Sequence, residues 1–177
     1  MIDDTKERYL RWQHLLKTNK HFRMFWQFWS NYSPAFFIIA FLLLIGSSIF
    51  WDAIGLSITA FLLARWGIVN TINYFVKRQR PYQLYVFNPL TSRFFSWQTD
   101  LPNSFPSRHL ATLSAIAWLF TILYPPVGWV LIGMTLVNGA ARVVLGYHYR
   151  TDVITGFVIG LISAYLSLQI WSLFIFT

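Results

Sequence analysis

Three short segments of the sequence hold most of the side chains suited to acid–base or anion chemistry. They are residues 77–81, 105–109 and 142–152. The guanidinium groups in these segments match the tetrahedral oxygens of a phosphate. Histidine changes its charge near neutral pH and serves in enzymes as nucleophile or general acid. The combination predicts a reaction at a phosphate ester.

One candidate site can be assembled from the three segments. His148 and His109 would divide the roles of nucleophile and general acid. Asp152, four residues after His148, would hold one ring nitrogen and leave a lone pair on the other. The phosphate oxygens would be held by Arg80, Ser107 and Arg142. Structural roles are the alternative, because arginines anchor helices at membrane surfaces and both Ser107 and Asp152 suit helix N-caps.

The composition indicates that lipid is the solvent for much of this chain. Of the 177 residues, 56% are hydrophobic and only 11% are charged, whereas soluble domains carry about 25% charged residues. The net charge of +8 is confined to segments between apolar runs, which favours anionic headgroups and phosphorylated substrates over nucleic acid as partners. The chain has no Cys, and its few scattered His and acidic residues predict neither a metal nor another cofactor.

The apolar residues predict an all-α, polytopic membrane helix bundle with about five transmembrane helices. The runs are 34–51, 53–75, 107–124, 126–147 and 153–176, and a span needs about 20 residues. We expect turns at Trp51-Asp52, at Pro125-Pro126 and at residues 149–152. Threading five spans through a bilayer brings the three polar segments to one membrane face, where they can form a single site.

Two further segments flank or interrupt the spans. Residues 1–33 alternate basic and aromatic side chains, which predicts an amphipathic interfacial segment before a transmembrane domain at 34–177. Residues 76–106 are expected to form a catalytic, interfacial loop. Its aromatic side chains favour equally a lid that holds a lipid chain and an anchoring aromatic belt: Tyr82, Tyr85, Phe87, Phe94, Phe95 and Trp97.

The three segments resemble the signature of the type 2 phosphatidic acid phosphatase superfamily. That signature reads K-x6-R-P, then P-S-G-H, then S-R-x5-H-x3-D. Here the corresponding residues are Arg80-Pro81, Pro106-Ser107-Arg108-His109, and Arg142, His148 and Asp152. The resemblance covers roughly residues 53–160 and extends to bacterial phosphatidylglycerophosphatase B-like and undecaprenyl diphosphatase-like members.

The resemblance implies a metal-independent reaction through a phosphohistidine. His148 would attack phosphorus, Asp152 would orient it, and His109 would protonate the leaving oxygen. Three positions depart from the signature: Asn73 replaces the Lys, Arg108 the Gly and Ala141 the Ser. Further candidates for substrate binding are therefore Lys77, Asn73 and Arg108, since Lys77 lies one helical turn after Asn73 and can supply the missing charge.

The function predicted for this chain is hydrolysis of a phosphate monoester or diphosphate on a phospholipid or prenyl lipid. The alternatives are a lipid phosphotransferase with the same site, and a non-enzymatic membrane scaffold or carrier. The expected location is the inner, or plasma, membrane of a bacterium. The positive-inside rule favours a cytoplasmic site, because no Lys or Arg falls on the opposite face. The family resemblance implies the alternative, since many bacterial relatives with six spans act on the periplasmic side.

Two features of the spans have no assigned chemistry. Arg65 lies near the middle of the second run, and no acidic residue in another span can pair with it. Gly156 and Gly160 form a G-x-x-x-G, which favours close helix packing within the chain and leaves a homodimer open.

Overall fold

The computed structural model describes residues 2–85 and 103–175 of the chain, with side chains described from residue 6 to residue 173 within those ranges. All regular elements in the described ranges are helices. They are α1 (Ile2–Thr18), α2 (Lys20–Leu42), α3 (Phe50–Leu62), a π-helical segment (Leu63–Val69), α4 (Asn70–Phe75), α5 (Pro81–Leu84), α6 (Arg108–Leu123), α7 (Pro125–Val144) and α8 (Arg150–Ile175).

The helices confirm the prediction of an all-α membrane helix bundle. Three stretches are long and apolar enough to cross a bilayer: Phe50–Phe75, Pro125–Val144 and Arg150–Leu173. Helix α6 is apolar but shorter, with 16 residues, and α2 contributes another 23-residue helix. Large apolar side chains are exposed on these helices, as expected where lipid covers them; examples are Ile38, Leu43, Trp66, Trp129 and Ile154.

The first predicted turn was placed wrongly. Helix α2 ends at Leu42 and α3 begins at Phe50, so Trp51 and Asp52 lie in the first turn of α3. The chain reverses at residues 43–49, where Gly46 has a φ of 83°, a left-handed conformation that glycine adopts without steric cost. The surrounding residues are mostly apolar, and hydropathy alone therefore does not separate this turn from the helices.

The N-terminal 33 residues do not form a separate element. Helix α1 ends at Thr18, and the Asn19 side chain accepts a hydrogen bond from the Phe22 amide and caps the start of α2. Helix α2 then continues through the predicted boundary at residues 33 and 34, with Pro34 inside it. The interfacial location of residues 1–33 stays a prediction.

Helix α6 lies at the centre of the bundle and packs against α3, α7 and α8. Its contact with α8 depends on two glycines of α8. A Cβ atom on Gly156 would lie 2.6 Å from the Ser107 carbonyl oxygen, and one on Gly160 would lie 2.6 Å from the Ala115 amide nitrogen. The G-x-x-x-G therefore packs α8 within the chain, and this packing brings the N-terminal ends of α6 and α8 together.

Candidate active site

The turn after α7 presents His148 to the interior. Gly146 has a φ of 81°, the left-handed geometry that ends many helices. Its amide donates to the Val143 carbonyl at 3.0 Å, and the Tyr147 amide donates to the Arg142 carbonyl at 2.9 Å. These bonds satisfy the last carbonyls of α7 and turn the chain inward. His148 is consequently only 3% exposed.

The contacts of the His148 ring define its tautomer. Nδ1 lies 2.9 Å from the Ser104 carbonyl oxygen. A carbonyl can only accept a hydrogen bond, so Nδ1 must carry the proton. Nε2 then has a lone pair, and it lies 3.5 Å from Nη1 of Arg80. A nucleophilic nitrogen and a guanidinium are thus adjacent, which is the arrangement needed to attack an anionic phosphate.

Burial keeps the His148 ring neutral. Removal from water lowers its pKa from the ordinary 6.5 to about 4, although the negative charge of the nearby Asp152 carboxylate opposes the shift. The positive charges of Arg80 and Arg142 also lower this pKa. A neutral imidazole at physiological pH has its lone pair available.

Arg80 is fixed by backbone carbonyls from both flanking segments. Its Nη1 donates to the Tyr147 carbonyl and its Nη2 to the Asn103 carbonyl, each at 3.2 Å. Arg80 is the N-cap residue of α5, and the following Pro81 begins that helix. Burial lowers the pKa of Arg80, yet a guanidinium remains charged at neutral pH.

Asp152 lies beside His148, and its strongest contacts are with other residues. Its Oδ2 is 3.6 Å from Nδ1 of His148, longer than a hydrogen bond. The same oxygen accepts from the Tyr149 amide at 2.8 Å and from the Ser104 hydroxyl. Its Oδ1 accepts from Nη1 of Arg78 at 2.8 Å. The Asp152 carboxylate thus holds the loop around His148 by hydrogen bonds and also places a negative charge beside the His148 ring.

Two of these partners, Arg78 and Ser104, were not among the predicted site residues. Arg78 also donates to the Thr151 hydroxyl at 2.8 Å, and its guanidinium lies 3.9 Å from the centroid of the Tyr149 ring. The Ser104 amide donates to the Arg78 carbonyl at 2.9 Å. No motif spacing indicates these contacts, because they join positions that lie far apart in sequence.

The start of α6 brings Ser107 and His109 to the same end of the bundle. Ser107 is fully buried and caps α6 by accepting from the Leu110 amide, while its own amide donates to the Asp152 carbonyl at 3.0 Å. His109 is partly buried and within electrostatic range of His148 and Arg80. Arg108 is partly buried, and the charge of Arg65 acts on both Arg108 and His109.

Arg142 is held by an irregularity in α2. Proline has no amide hydrogen, so Pro34 cannot donate to the carbonyl four residues earlier, that of Ser30. This carbonyl instead accepts from Nη2 of Arg142 at 3.2 Å and from Nδ2 of Asn138 at 3.3 Å. The guanidinium also lies 5.5 Å from the Tyr147 ring centroid. Arg142 is therefore positioned next to the residue that precedes His148.

Asn73 and Lys77 lie at the edge of this cluster. The Asn73 amide donates to the Val69 carbonyl of its own helix at 2.9 Å. Its backbone carbonyl accepts from Nδ2 of Asn103 and from Nζ of Lys77, both at 2.9 Å. Asn73 thus supports the segment that reaches Arg80, and the ammonium of Lys77 lies beside it.

An N-terminal residue also contacts the site. Tyr9 of α1 is buried, and its hydroxyl donates to the His148 carbonyl at 3.0 Å. Its ring centroid lies 5.7 Å from that of Tyr85 and 6.2 Å from that of Tyr149. The sequence analysis assigned Tyr9 only to an amphipathic helix.

The structure thus brings His148, Asp152, Arg80, Ser107 and Arg142 to one end of the bundle, with His109 within electrostatic range. Of the predicted aromatic loop, Tyr82 and Tyr85 are described, whereas Phe87, Phe94, Phe95 and Trp97 lie outside the described residues. In the described ranges, no three His, Cys, Asp or Glu side chains are placed to hold a metal ion. The chemistry available to the described site is nucleophilic attack and anion binding.

Comparison with known proteins gives a family match and curated relatives. The family described as the PAP2 superfamily matches residues 53–175. Bacitracin transport permease protein BcrC of Bacillus licheniformis is 30% identical over 83 residues, which are 47% of this chain and 40% of that protein. A lipid A 1-phosphatase of Rhizobium johnstonii is 30% identical over 93 residues, 52% of this chain and 38% of that protein. The lipid A 1-phosphatase of Rhizobium etli gives 30% identity over 93 residues, 52% of this chain and 40% of that protein.

The matched regions cover about two fifths of these relatives' own lengths. The family match begins at residue 53 and contains every predicted site residue. Helices α1 and α2, which contribute the contacts from Tyr9 and Ser30, lie outside it.

Proposed function

Since this chain belongs to the PAP2 superfamily, we propose that it is a membrane lipid phosphatase. It hydrolyses a phosphate monoester or diphosphate of a phospholipid or prenyl lipid. The observation that carries the proposal is the unprotonated Nε2 of His148 next to the Arg80 guanidinium. The names of two relatives, both lipid A 1-phosphatases, support a lipid-linked phosphate as the substrate class.

The reaction takes place in two displacements. The Nε2 lone pair of His148 forms a bond to phosphorus while the bond between phosphorus and the lipid oxygen breaks, and His109 donates a proton to that oxygen. Water then attacks the phosphorus of the phosphohistidine and gives a proton to His109, the N–P bond breaks with its electron pair returning to Nε2 of His148, and phosphate leaves. Arginine side chains, rather than a metal ion, hold the equatorial oxygens in this proposal.

The partners of His148 have separate roles in these steps. The Ser104 carbonyl holds the Nδ1 proton and fixes the ring plane. Asp152 stabilises the positive charge that the ring acquires when Nε2 bonds to phosphorus. Arg80 and Arg142 neutralise the charge of the phosphoryl group. The N-terminus of α6, capped by Ser107, adds the positive end of a helix dipole near the same oxygens.

The membrane location is proposed as the bacterial inner membrane, with the site on the cytoplasmic face. The charge distribution supports this orientation, because the described basic residues of α1 and of the site lie at the same end of the bundle. A reporter protein that is active only in the cytoplasm should be active when fused to the N-terminus, whereas one that is active only in the periplasm should be inactive there. Activity confined to periplasmic reporters would contradict the orientation without affecting the chemistry.

The test of the function is phosphate release by the purified protein in detergent across a panel of lipids. The panel contains phosphatidic acid, phosphatidylglycerophosphate, a prenyl diphosphate and a lipid A phosphate. We expect release from at least one lipid and none from the His148→Ala variant. Near-wild-type release by His148→Ala would reject the assignment. Transfer of phosphate to a second lipid instead of water would identify a phosphotransferase.

A further inference from the structure

A cavity of about 640 Å³ lies beside the catalytic loop, between that loop and α1. It is within the size range of small-molecule sites, about 300–1,000 Å³. Its walls come from α1, from the segment that precedes α5 and from the start of α8. The proposed catalytic residues His148, His109, Arg80 and Arg142 do not line it. The cavity therefore lies beside the reacting groups and shares Lys77 and Arg78 with the site.

The charge of the cavity has one sign. Four basic side chains line it: Arg8, Lys77, Arg78 and Arg150. No Asp or Glu is found among its described lining residues. Because low-dielectric walls strengthen the field of such a cluster, the cavity attracts an anion. Arginine forks favour phosphate oxygens in particular.

Apart from the polar side chains of Gln79 and Thr151, the remaining walls are apolar and aromatic. Trp12, Leu84, Tyr85 and Val143 face the cavity together with Tyr149. A small hydrated anion gains nothing from such walls, whereas the glycerol and first methylenes of a lipid do. Helix α1 also exposes Leu10 and Leu15, as expected for a helix that lies in the interface of a bilayer. With α1 at the bilayer interface, as predicted from the sequence, the cavity would open where lipid headgroups are available.

We propose that this cavity binds the phosphate-bearing headgroup of an anionic membrane lipid, as a site separate from the catalytic one. The headgroup phosphate would accept hydrogen bonds from Arg8, Lys77 and Arg150, and the aromatic side chains would cover the glycerol. Arg78 lines the cavity and binds Asp152, and Tyr9 lines it and binds His148. The bound lipid therefore contacts two residues that hold the catalytic loop.

Native mass spectrometry of the purified chain tests the proposal without reference to turnover. Protein in detergent is mixed with phosphatidylglycerol, whose phosphate is a diester, or with phosphatidylcholine. We expect one phosphatidylglycerol to be retained in preference to phosphatidylcholine. Because it removes two charged hydrogen-bond donors to the phosphate, the double variant Arg8→Gln/Arg150→Gln should weaken retention at least about tenfold.

A matched variant separates the cavity from general charge attraction. Arg11→Gln/Lys17→Gln removes the same number of charges from exposed positions of α1 that do not line the cavity, and it should retain the lipid like the wild type. Equal loss in both double variants would overturn the proposal. If the first double variant does not fold, as judged by gel filtration, Arg8→Gln alone is compared with Arg11→Gln alone under the same criterion.

Free inorganic phosphate forms the second arm of the experiment. The His148→Ala protein, without lipid, is titrated with phosphate in a thermal-shift assay. Weak stabilisation that does not depend on Arg8 and Arg150 supports a lipid as the occupant. Tight, Arg8-dependent binding of phosphate together with no preference for phosphatidylglycerol would show instead that the cavity takes the free ion.

Discussion

At the scale of single residues, the geometry of the site depends on a few buried groups that each bind several partners. Asp152 has contacts to Arg78, Ser104 and the Tyr149 amide in addition to its proximity to His148. If one of these partners is removed, the negative charge of the buried carboxylate has fewer hydrogen bonds, and a buried charge without partners costs free energy. The residues around Asp152 are therefore expected to affect catalysis although they do not touch the phosphate.

Arg78 provides the clearest case for this expectation. Arg78→Gln should lower kcat about 10- to 100-fold with a smaller effect on KM, because a charged hydrogen bond of about 1.5–3 kcal/mol to Asp152 is lost. Arg78→Lys should recover part of the rate. The measurement is steady-state phosphate release, with Gln79→Ala, an exposed neighbour, as control. Unchanged kcat in Arg78→Gln would show that Asp152 is organised without it.

The lowered pKa of His148 makes a prediction about acid conditions. With a pKa of about 4 in the folded chain and about 6.5 when unfolded, the unfolded state binds more protons between these values. The contribution of His148 to stability is therefore complete above pH 6.5 and lost as the pH falls towards 4. The acid limb of kcat/KM should likewise lie below pH 5.

Melting temperatures at pH 4.5 and 7 check the stability part of this prediction. Between pH 7 and pH 4.5 the melting temperature of the wild type should fall by more than that of His148→Asn. His14→Asn, at an exposed position of α1, should behave like the wild type. Equal acid sensitivity of wild type and His148→Asn would contradict the neutral, buried imidazole.

The residue types of the site could be predicted from sequence, whereas several of its contacts could not. His148, His109, Arg142 and Asp152 have fixed spacings that carry a chemical meaning. Arg78 lies in a segment where only Lys77 and Arg80 were predicted to act, and Tyr9 lies in a segment that was predicted only to be interfacial. These contacts depend on how the helices pack, and a single sequence does not show which residues far apart in the chain come together.

At the scale of helices, irregular positions hold the functional side chains. The carbonyl of Ser30 is released by Pro34 and receives Arg142. The π-helical segment Leu63–Val69 contains Arg65, whose charge acts on His109. π-Helices are rare and often found at functional sites. The position of Arg65 in this segment gives it an electrostatic connection to the site that the sequence analysis did not find.

Substitution of Pro34 tests the link between α2 and Arg142. In Pro34→Ala, a new amide hydrogen can donate to the Ser30 carbonyl and compete with Arg142, so kcat should fall about threefold to tenfold, which corresponds to roughly 1 kcal/mol. The melting temperature should stay the same or rise, because proline destabilises a helix interior. Pro125→Ala, at the first position of α7 where proline is well tolerated, should leave the activity unchanged. A fall in stability without a change in kcat would contradict this account.

The glycines of α8 make a second prediction about helices. Gly160→Ala should destabilise the fold by about 1–3 kcal/mol, because its Cβ would meet the backbone of Ala111 and Ala115. Gly133→Ala of α7 is the matched control, since nothing lies within 4 Å of its Cβ, and should stabilise the helix by up to about 1 kcal/mol. Thermal unfolding in detergent measures both. Equal stability of the two variants would show that α6 and α8 do not depend on this close contact.

Hydropathy predicted the helices better than their ends. The hairpin at Pro125-Pro126 was found because proline marks it. The turn predicted at residues 149–152 lies earlier, at residues 145–149, because α8 begins at Arg150. The reversal around Gly46 was missed because Ile45 and Ile49 continue the apolar run, and the first span was consequently extended to residue 51. Polar content is a poor guide to a turn that lies at a membrane surface.

At the scale of the whole molecule, the segment that the family match covers and the helices that precede it meet at one end of the bundle. Residues 53–175 match the PAP2 superfamily and contain the predicted site residues. Helices α1 and α2 lie outside that match and contribute the Tyr9 contact to His148 and the Ser30 contact to Arg142. The N-terminal helices therefore belong to the structural support of the site.

The central claim is that His148 carries the phosphoryl group during the reaction. The most direct measurement is alkali-quenched trapping with a lipid substrate labelled in its phosphate, followed by mass-spectrometric mapping of the labelled peptide. Phosphohistidine survives alkali and is lost in acid. We predict an alkali-stable, acid-labile label on His148 in the wild type and no label in His148→Ala. Labelling of another residue, or hydrolysis with unlabelled His148 under conditions that preserve phosphohistidine, would contradict the account.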